Sequence, residues 1–391
     1  MTSTIIITFC ILLLFAYLFD LTSSRTKIPS VILLLVLGWS MKELAGLLKI
    51  EIPDVSFALP LLGTVGLILI VLDGALELEL DRSKQRTIVK HMLGSAFSII
   101  SLSLLFAFVF LKLGAPDFRI AILNAIPISI ISSAIAIPST KAMCRKNREF
   151  VVYDTSISDV VGVILFSYFL MNYNFTAGSI FYFSYQIVLM IVISIVASAG
   201  LSYLLSRLRH QIKFIPIILL VILIYSIAEV YHLPALIFIL LFGLTIGNMD
   251  KIVEFPIIKK FVYGSIEKEV TRFREITIEA TFLIRSLFFL LFGFMIETKE
   301  ILDQNSLKLA LAIVLIILAI RALQLKLTGN KLFPLLFIVP RGLITILLFM
   351  SISVSEHLFF INRNLIIQII VITTLIMIFG TSSINRERKA K

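Results

Sequence analysis

Charge is what this chain has least of. Its 391 residues are only 15% charged and 59% hydrophobic, whereas soluble domains carry about 25% charged and roughly 45–50% apolar residues. So little charge cannot clothe a water-facing surface of this size, which argues against a soluble globular protein. Cysteine and histidine are scarce too: Cys10 and Cys144, then His91, His210, His232 and His357. Neither set clusters, so a disulfide framework and a metal centre find no support, and no cofactor is implied. No nucleophile–base pair points to an intramembrane enzyme, and no ring of like charges points to a channel filter. The first apolar stretch lacks a basic leading region and an A-x-A cleavage site, so it is expected to remain as a helix rather than act as a signal peptide.

Long apolar runs take the place of the missing charge. Thirteen stretches are expected to cross a membrane, near 3–20, 28–46, 56–79, 90–112, 119–142, 150–172, 178–206, 213–230, 232–249, 277–296, 305–325, 332–355 and 358–380. Most approach the ~20 residues that span a ~30 Å hydrocarbon core. Basic residues in alternate loops are lopsided, with 25 on one side and 7 on the other. The positive-inside rule then places the amino terminus outside and the carboxyl terminus in the cytoplasm of a cell (inner) membrane. The net charge of +11 is thereby mostly topology, with a weak attraction to anionic membrane lipid and no need of a nucleic-acid partner. Three arginines fall in no loop: Arg285, Arg321 and Arg341.

Two stretches carry interruptions. The fifth reads Pro127-Ile-Ser-Ile-Ile-Ser-Ser-Ala-Ile-Ala-Ile-Pro138, and the twelfth reads Pro334-Leu-Leu-Phe-Ile-Val-Pro340-Arg341-Gly342. Proline removes a ladder hydrogen bond and clashes with the preceding turn. Their odd offset makes the two stretches cross in opposite directions, which is the sequence pattern of an inverted-repeat transporter. The prolines alone would also fit two kinked packing helices.

Carboxylates at membrane depth are rare because they cost at least ~2.5 kcal/mol on insertion scales. Asp159 is the most exceptional, flanked by Ser156-Ile-Ser158 and by Val160-Val-Gly-Val-Ile-Leu-Phe166. Helical spacing places Thr155 on its face and Asp154 over Ser158 on an adjacent one. Thr155 and Asp159 offer hard oxygens to an alkali cation, and the same carboxylate can instead hold a proton. Asp154 calls for a partner, since an unpaired buried charge is expensive; Arg321 is favoured over Arg285 and Arg341, as an ion pair that steadies the bundle. Asp73, beside Gly74, is a third deep acid. The stretch 250–276, with Lys259, Lys260, Lys268, Arg272 and Arg274 among apolar residues, fits either an interfacial amphipathic helix or a solvated loop.

In combination these segments resemble the cation:proton antiporter superfamily, most closely its bacterial sodium/proton exchanger branch. Lys27-Ile-Pro-Ser-Val-Ile-Leu-Leu-Leu-Val-Leu-Gly38 is similar to that family's opening helix of the first repeat, and Leu72-Asp73-Gly74-Ala75-Leu76 to its Phe-Glu-Gly-Gly-Leu segment. Asp154-Thr-Ser-Ile-Ser-Asp159 resembles its Glu-Ser-Leu-Leu-Asn-Asp motif. Arg321 through Pro340-Arg341-Gly342 resembles its arginine-bearing eleventh helix followed by an Arg-Gly break. The resemblance implies an all-α polytopic fold of about thirteen transmembrane helices with inverted repeats and crossed interrupted helices, forming a single transport unit over 1–391. It further implies core helices at about 90–172 and 277–380, dimerisation helices at about 1–79 and 178–249, a homodimer, and elevator-like access.

Carried over by position, the resemblance makes Asp159 the ion- and proton-binding carboxylate, with Thr155, Asp73 and Ser158 contributing to the site and Na+ held by Asp159, Thr155 and Asp73. Asp154 would pair with Arg321. Ser133, Ala134, Ile135 and Ala136 with Arg341 and Gly342 would be the helix-break residues. Three departures bear on selectivity. The family's Thr-Asp-Pro is absent from the first break, where Ser133-Ala134-Ile135-Ala136 resembles the potassium-efflux branch; Ser158 stands for its Asn; Asp73 stands for its Glu. The expected activity is exchange of Na+ or Li+ for H+, electroneutral because Asp159 lacks an adjacent second Asp. Exchange of K+ for H+ is the alternative within the class, and a non-transporting sensor with a structural charge network is the alternative outside it.

Overall fold

The computed structural model describes residues 2–26, 30–47, 58–77, 85–140, 143–173, 176–207, 214–231, 233–249, 266–298 and 303–389. Among them every regular element is helical. The chain runs α1 (Thr2–Thr26), α2 (Ser30–Leu47), α3 (Ala58–Glu77), α4 (Gln85–Lys112), α5 (Phe118–Ser129), α6 (Ser133–Ser139), α7 (Arg145–Met171) and α8 (Ala177–Arg207). It continues through α9 (Phe214–Val230), α10 (Ala235–Gly247), α11 (Ile266–Phe294), α12 (Gln304–Leu327), a 3-10 turn at Leu335–Phe337, α13 (Leu343–Ser351) and α14 (Arg363–Lys389). Eight of these helices are long and apolar enough to cross a membrane, and shorter apolar helices stand between them. Such helices need little propensity to form, because in lipid each backbone polar group must be satisfied within its own segment.

Polar caps fix where two of the helices begin. Asp117 accepts the N–H of Ile120 at 2.7 Å to start α5, and Asp303 accepts those of Asn305 and Ser306 to start α12. The Ser306 hydroxyl and those two amides hold the Asp303 carboxyl below the usual carboxylate range. The cap is therefore complete at neutral pH and is lost only as pH falls through that lowered value.

Two groups of helices emerge from the packing. In the first, α2 lies on α11, α3 on α10 and α11, α8 and α9 on α10, and α1 on α2. In the second, α4 packs on α5, α7 and α12, while α12 and α14 embrace the 3-10 turn, α6 lies on α7, and α13 lies on α5. The second group is two triplets, α4–α5/α6–α7 and α12–(335–351)–α14, each with an interrupted middle member. The groups meet where α3 touches α6, α7 and α13 and where α10 touches α7.

The packing of α11 bears on the expected grouping. The stretch 277–296 was expected among the core helices, but α11 packs on α1, α2, α3, α8 and α9 of the first group. Two glycines explain this. A Cβ at Gly38 would collide with the Leu290 carbonyl oxygen, and one at Gly293 with that of Leu35. The α2 and α11 backbones thus touch directly, as small residues permit in membrane bundles. Trp39 Nε1 donates to Thr298 Oγ1 at 3.0 Å, and Lys42 Nζ to the Ile296 carbonyl at 3.2 Å, closing that end of the pair. The first part of the 250–276 linker, residues 250–265, lies outside the described residues; from Ile266 the chain is already continuous with α11.

The α2–α11 contact generates a stability prediction. Gly293→Val forces side chain into backbone and is expected to cost about 1–3 kcal/mol, read as a lower thermal-unfolding midpoint in detergent. Gly46, which has open space around it, serves as control: Gly46→Ala should leave the midpoint level or slightly raised.

Candidate functional site

The site is organised by the two helix breaks. Between α5 and α6, Ile130 and Ser132 adopt extended backbone, so carbonyls and amides near the break lose their helical partners. Each finds another. Arg341 donates from Nε to the Ile128 carbonyl at 2.6 Å and from Nη2 to that of Ser129 at 3.2 Å. The Ile131 N–H donates to Ser158 Oγ at 3.0 Å, and the Ser132 N–H to the Pro340 carbonyl at 2.9 Å. In the second break Arg341 Nη1 donates to the Val339 carbonyl at 3.0 Å, and the Arg341 N–H to Thr373 Oγ1 at 3.1 Å. Gly342 sits at the crossing, where a Cβ would come within 2.7 Å of both Ile135 Cδ1 and Ser132 Oγ. Ser133, Ala134, Ile135 and Ala136 form the first turn of α6.

Helix α7 carries the acids past this crossing on different faces. Asp154 is fully buried. Arg321 Nη1 donates to its Oδ2, and Gln324 Nε2 donates to its Oδ1 at 2.5 Å. The Arg321 Nη1 also reaches Gln324 Oε1 at 2.8 Å, its Nε donates to the Leu335 carbonyl at 3.2 Å, and its guanidinium lies 5.3 Å from the Phe150 ring centroid. Asp154 is thus one corner of a closed triad that ties α7 to α12 and to the 3-10 turn. Gln324 escaped the sequence reading, although its spacing of three from Arg321 places it on the same helix face.

Asp159 faces elsewhere. It is half-buried in a narrow cleft between α7, α3 and α10, whose other walls include Val71, Ala75, Ser156, Val163 and Leu240. No other ionisable side chain lines that cleft among the described residues. Ser133, at the start of α6, is the polar neighbour that acts on the Asp159 carboxylate from its hydroxyl and its backbone N–H, while Asp159 Oδ1 makes no hydrogen bond. Thr155 lies one turn below, fully buried and, like Ser133, behind the residues that line the cleft, its hydroxyl donating to the Val151 carbonyl at 2.9 Å. That bond uses its proton and leaves its lone pairs.

Two of the expected site residues are placed outside the cleft walls. Ser158 spends its oxygen on the α5–α6 break rather than facing the cleft. Asp73 does not join Asp159: Gly74 lines the cleft, but Asp73 is absent from its walls and is an electrostatic neighbour of Arg285, together with Asp20. Arg285 Nη2 stands 3.7 Å from Asp20 Oδ1, which also accepts from the Ser30 hydroxyl at 3.0 Å. Ser156, passed over in the sequence, does line the cleft three residues before Asp159. Across the described residues no three His, Cys, Asp or Glu side chains gather as a metal centre. What this site offers a cation is one carboxylate with hydroxyl and backbone oxygens, a donor set suited to a singly charged hard ion.

The geometry has counterparts among solved structures. The chain is similar to the sodium proton antiporter MjNhaP1 from Methanocaldococcus jannaschii at pH 8, with a TM-score of 0.68 and 16% identity over 97% of this chain and 99% of that one. It is also similar to a structure of MjNhaP1 from a three-dimensional electron-microscopy map, with a TM-score of 0.63 and 16% identity over 100% of this chain and 97% of that one. At that identity the likeness is one of fold. No curated protein matches by sequence. The profile of the family described as sodium/hydrogen exchanger, transmembrane, matches residues 10–385. With nearly the whole length matched, the chain belongs to the transmembrane sodium/hydrogen exchanger family and is a multi-pass cation/proton antiporter rather than an enzyme.

Proposed function

We propose that the protein exchanges Na+ or Li+ for H+ by competition at Asp159, one ion for one proton, with the cleft opening alternately to the two sides of the membrane. The observation that carries this reading is the isolation of Asp159. Among the described residues it is the one ionisable side chain in the walls of a cleft between two helix groups, and one of its oxygens is uncommitted. A lone carboxylate there must be neutralised before its group can move past apolar walls. A proton neutralises it, and a monovalent cation does so equally; an empty anionic site does neither and stays where water reaches it. That rule couples the two fluxes in opposite directions.

The same reasoning gives the stoichiometry. Because either occupant leaves the moving group with the same net charge, the cycle transfers none, and a membrane potential, worth about 2.3 kcal/mol per charge per 100 mV, has nothing to act on. Thr155 and Ser133 are assigned as supporting oxygens. Asp73, held toward Arg285, is assigned a place behind the cleft, in the charge pairing of the first helix group, rather than among the ligands. A homodimer through the first helix group, in an inner membrane with the amino terminus outside, completes the proposal. Exchange of K+ is the second reading, favoured by the Ser133–Ala136 break.

Reconstituted vesicles test this directly. With an imposed pH gradient, addition of Na+ or Li+ should dissipate it, and Asp159→Ala should abolish the response while leaving the protein folded. Response to K+ alone would select the second reading, and response to none would refute exchange. Clamping the potential at different values should leave the rate unchanged. In the range where the protonated site dominates, the apparent affinity for Na+ should weaken about tenfold per unit fall in pH, since the two ligands exclude each other. Asp154→Ala should behave differently. It strands Arg321 in the core, so a loss of about 3–5 kcal/mol of stability is expected, seen as a lowered unfolding midpoint.

A further inference from the structure

A second cavity lies inside the helix group that carries Asp159, on the far side of the crossing from the cleft. Its walls include Ser95, Ser98, Ser129, Ser158, Arg321 and Arg341. Both arginines are 1% exposed. The polar groups around it do not balance. The guanidinium of Arg341 is bonded to three carbonyls, those of Ile128, Val339 and Ser129, which carry no charge. Arg321 is bonded to Asp154, but its Nη2 is buried with no hydrogen-bond partner. The charged groups that act on Arg341 are Arg321 and Asp154, so two cations share one carboxylate.

The hydroxyls sharpen the imbalance. Ser95 and Ser129 spend their protons on the carbonyls of Asp154 and Ala125, at 2.6 and 2.9 Å. Ser158 accepts the Ile131 N–H, which leaves its own proton to donate. Ser98 lines the cavity as a further donor. The donors available at the cavity walls are therefore Arg321 Nη2 and the hydroxyls of Ser98 and Ser158, where two guanidinium groups share one carboxylate. A water molecule would satisfy those donors but leave the second positive charge uncompensated at low dielectric, where unpaired charge is most costly. A small anion satisfies both demands.

We propose that this cavity binds a single monovalent inorganic anion, chloride in the cell, held by Arg321 Nη2 and the hydroxyls of Ser98 and Ser158. The anion completes the charge balance of the Asp154–Arg321–Arg341 cluster and is not transported, for the cavity is separate from the cleft of Asp159. The inference goes beyond the exchange reading and stands independently of it. An anion bound to the folded protein alone raises its stability with its concentration.

The test uses purified full-length protein in detergent, at constant Na+ and ionic strength, with chloride, bromide or gluconate as counter-ion. Chloride and bromide should raise the unfolding midpoint by a few degrees in a saturable manner, and gluconate should not. Ser98→Leu fills the cavity without removing either arginine, and should abolish the halide response. Bromide anomalous density against Arg321 Nη2 in crystals of the unaltered protein should mark the site directly, whether or not the variant folds. Equal midpoints in all three anions, a halide shift that persists in Ser98→Leu, or a water in place of bromide would each overturn the proposal.

Discussion

The Arg341 guanidinium holds the crossing together. A helix broken at membrane depth leaves carbonyls and amides unpaired, and each costs several kcal/mol when no water is near. Arg341 takes two carbonyls of the first break and one of its own break, so a single side chain stitches the interruptions to each other. The reverse link, from the Ser132 amide to the Pro340 carbonyl, makes the stitch reciprocal. Gly342 lets the chains come that close. Without this closure the extended segments would have to re-form helix, and the start of α6 would no longer meet Asp159.

The crossing also explains why α7 can hold two acids with opposite fates. Asp154 lies toward α12, where Arg321 and Gln324 occupy both its oxygens. Asp159, five residues on, has turned toward α3 and α10 and meets only Ser133. One carboxylate is locked by a full set of partners; the other keeps an oxygen without a hydrogen bond. The locked pair in turn fixes the height and rotation of α7, since Ser95 and the 3-10 turn are tied to the same network. The two carboxylates are thereby separated by about a turn and a half of helix.

Much of this was legible in the residues. The apolar runs, the two proline-marked breaks and the partner of Asp154 follow from length, composition and the cost of an unpaired buried charge. The family's order of motifs singled out Asp159. What the sequence concealed depends on which face a residue turns. Asp73 and Gly74 are neighbours in the chain, yet the glycine lines the cleft while the acid sits by Arg285. Ser158 was read as an ion ligand because it precedes Asp159, but the orphan amide of Ile131 claims its oxygen. The packing partners of α11 were hidden for a similar reason: apolar content does not say which helices a helix packs on, whereas the close approach at Gly38 and Gly293 does.

Those glycines bear on how the molecule could move. Direct backbone contact between α2 and α11 makes the first helix group stiff, because packed elements have no slack to deform into. The second group is stiffened by the triad and the crossing. Between them the contact surfaces belong to α3 and α10 on one side and α6, α7 and α13 on the other, and around Asp159 they are almost wholly aliphatic. Such a surface has no directional bonds to break when one rigid body shifts along the other. A buried charge is the single feature that would resist the shift, and Asp159 is where that charge resides. On the proposed exchange reading, the ion-dependent barrier then falls at one residue, and occupancy of that carboxylate would govern movement of the whole group.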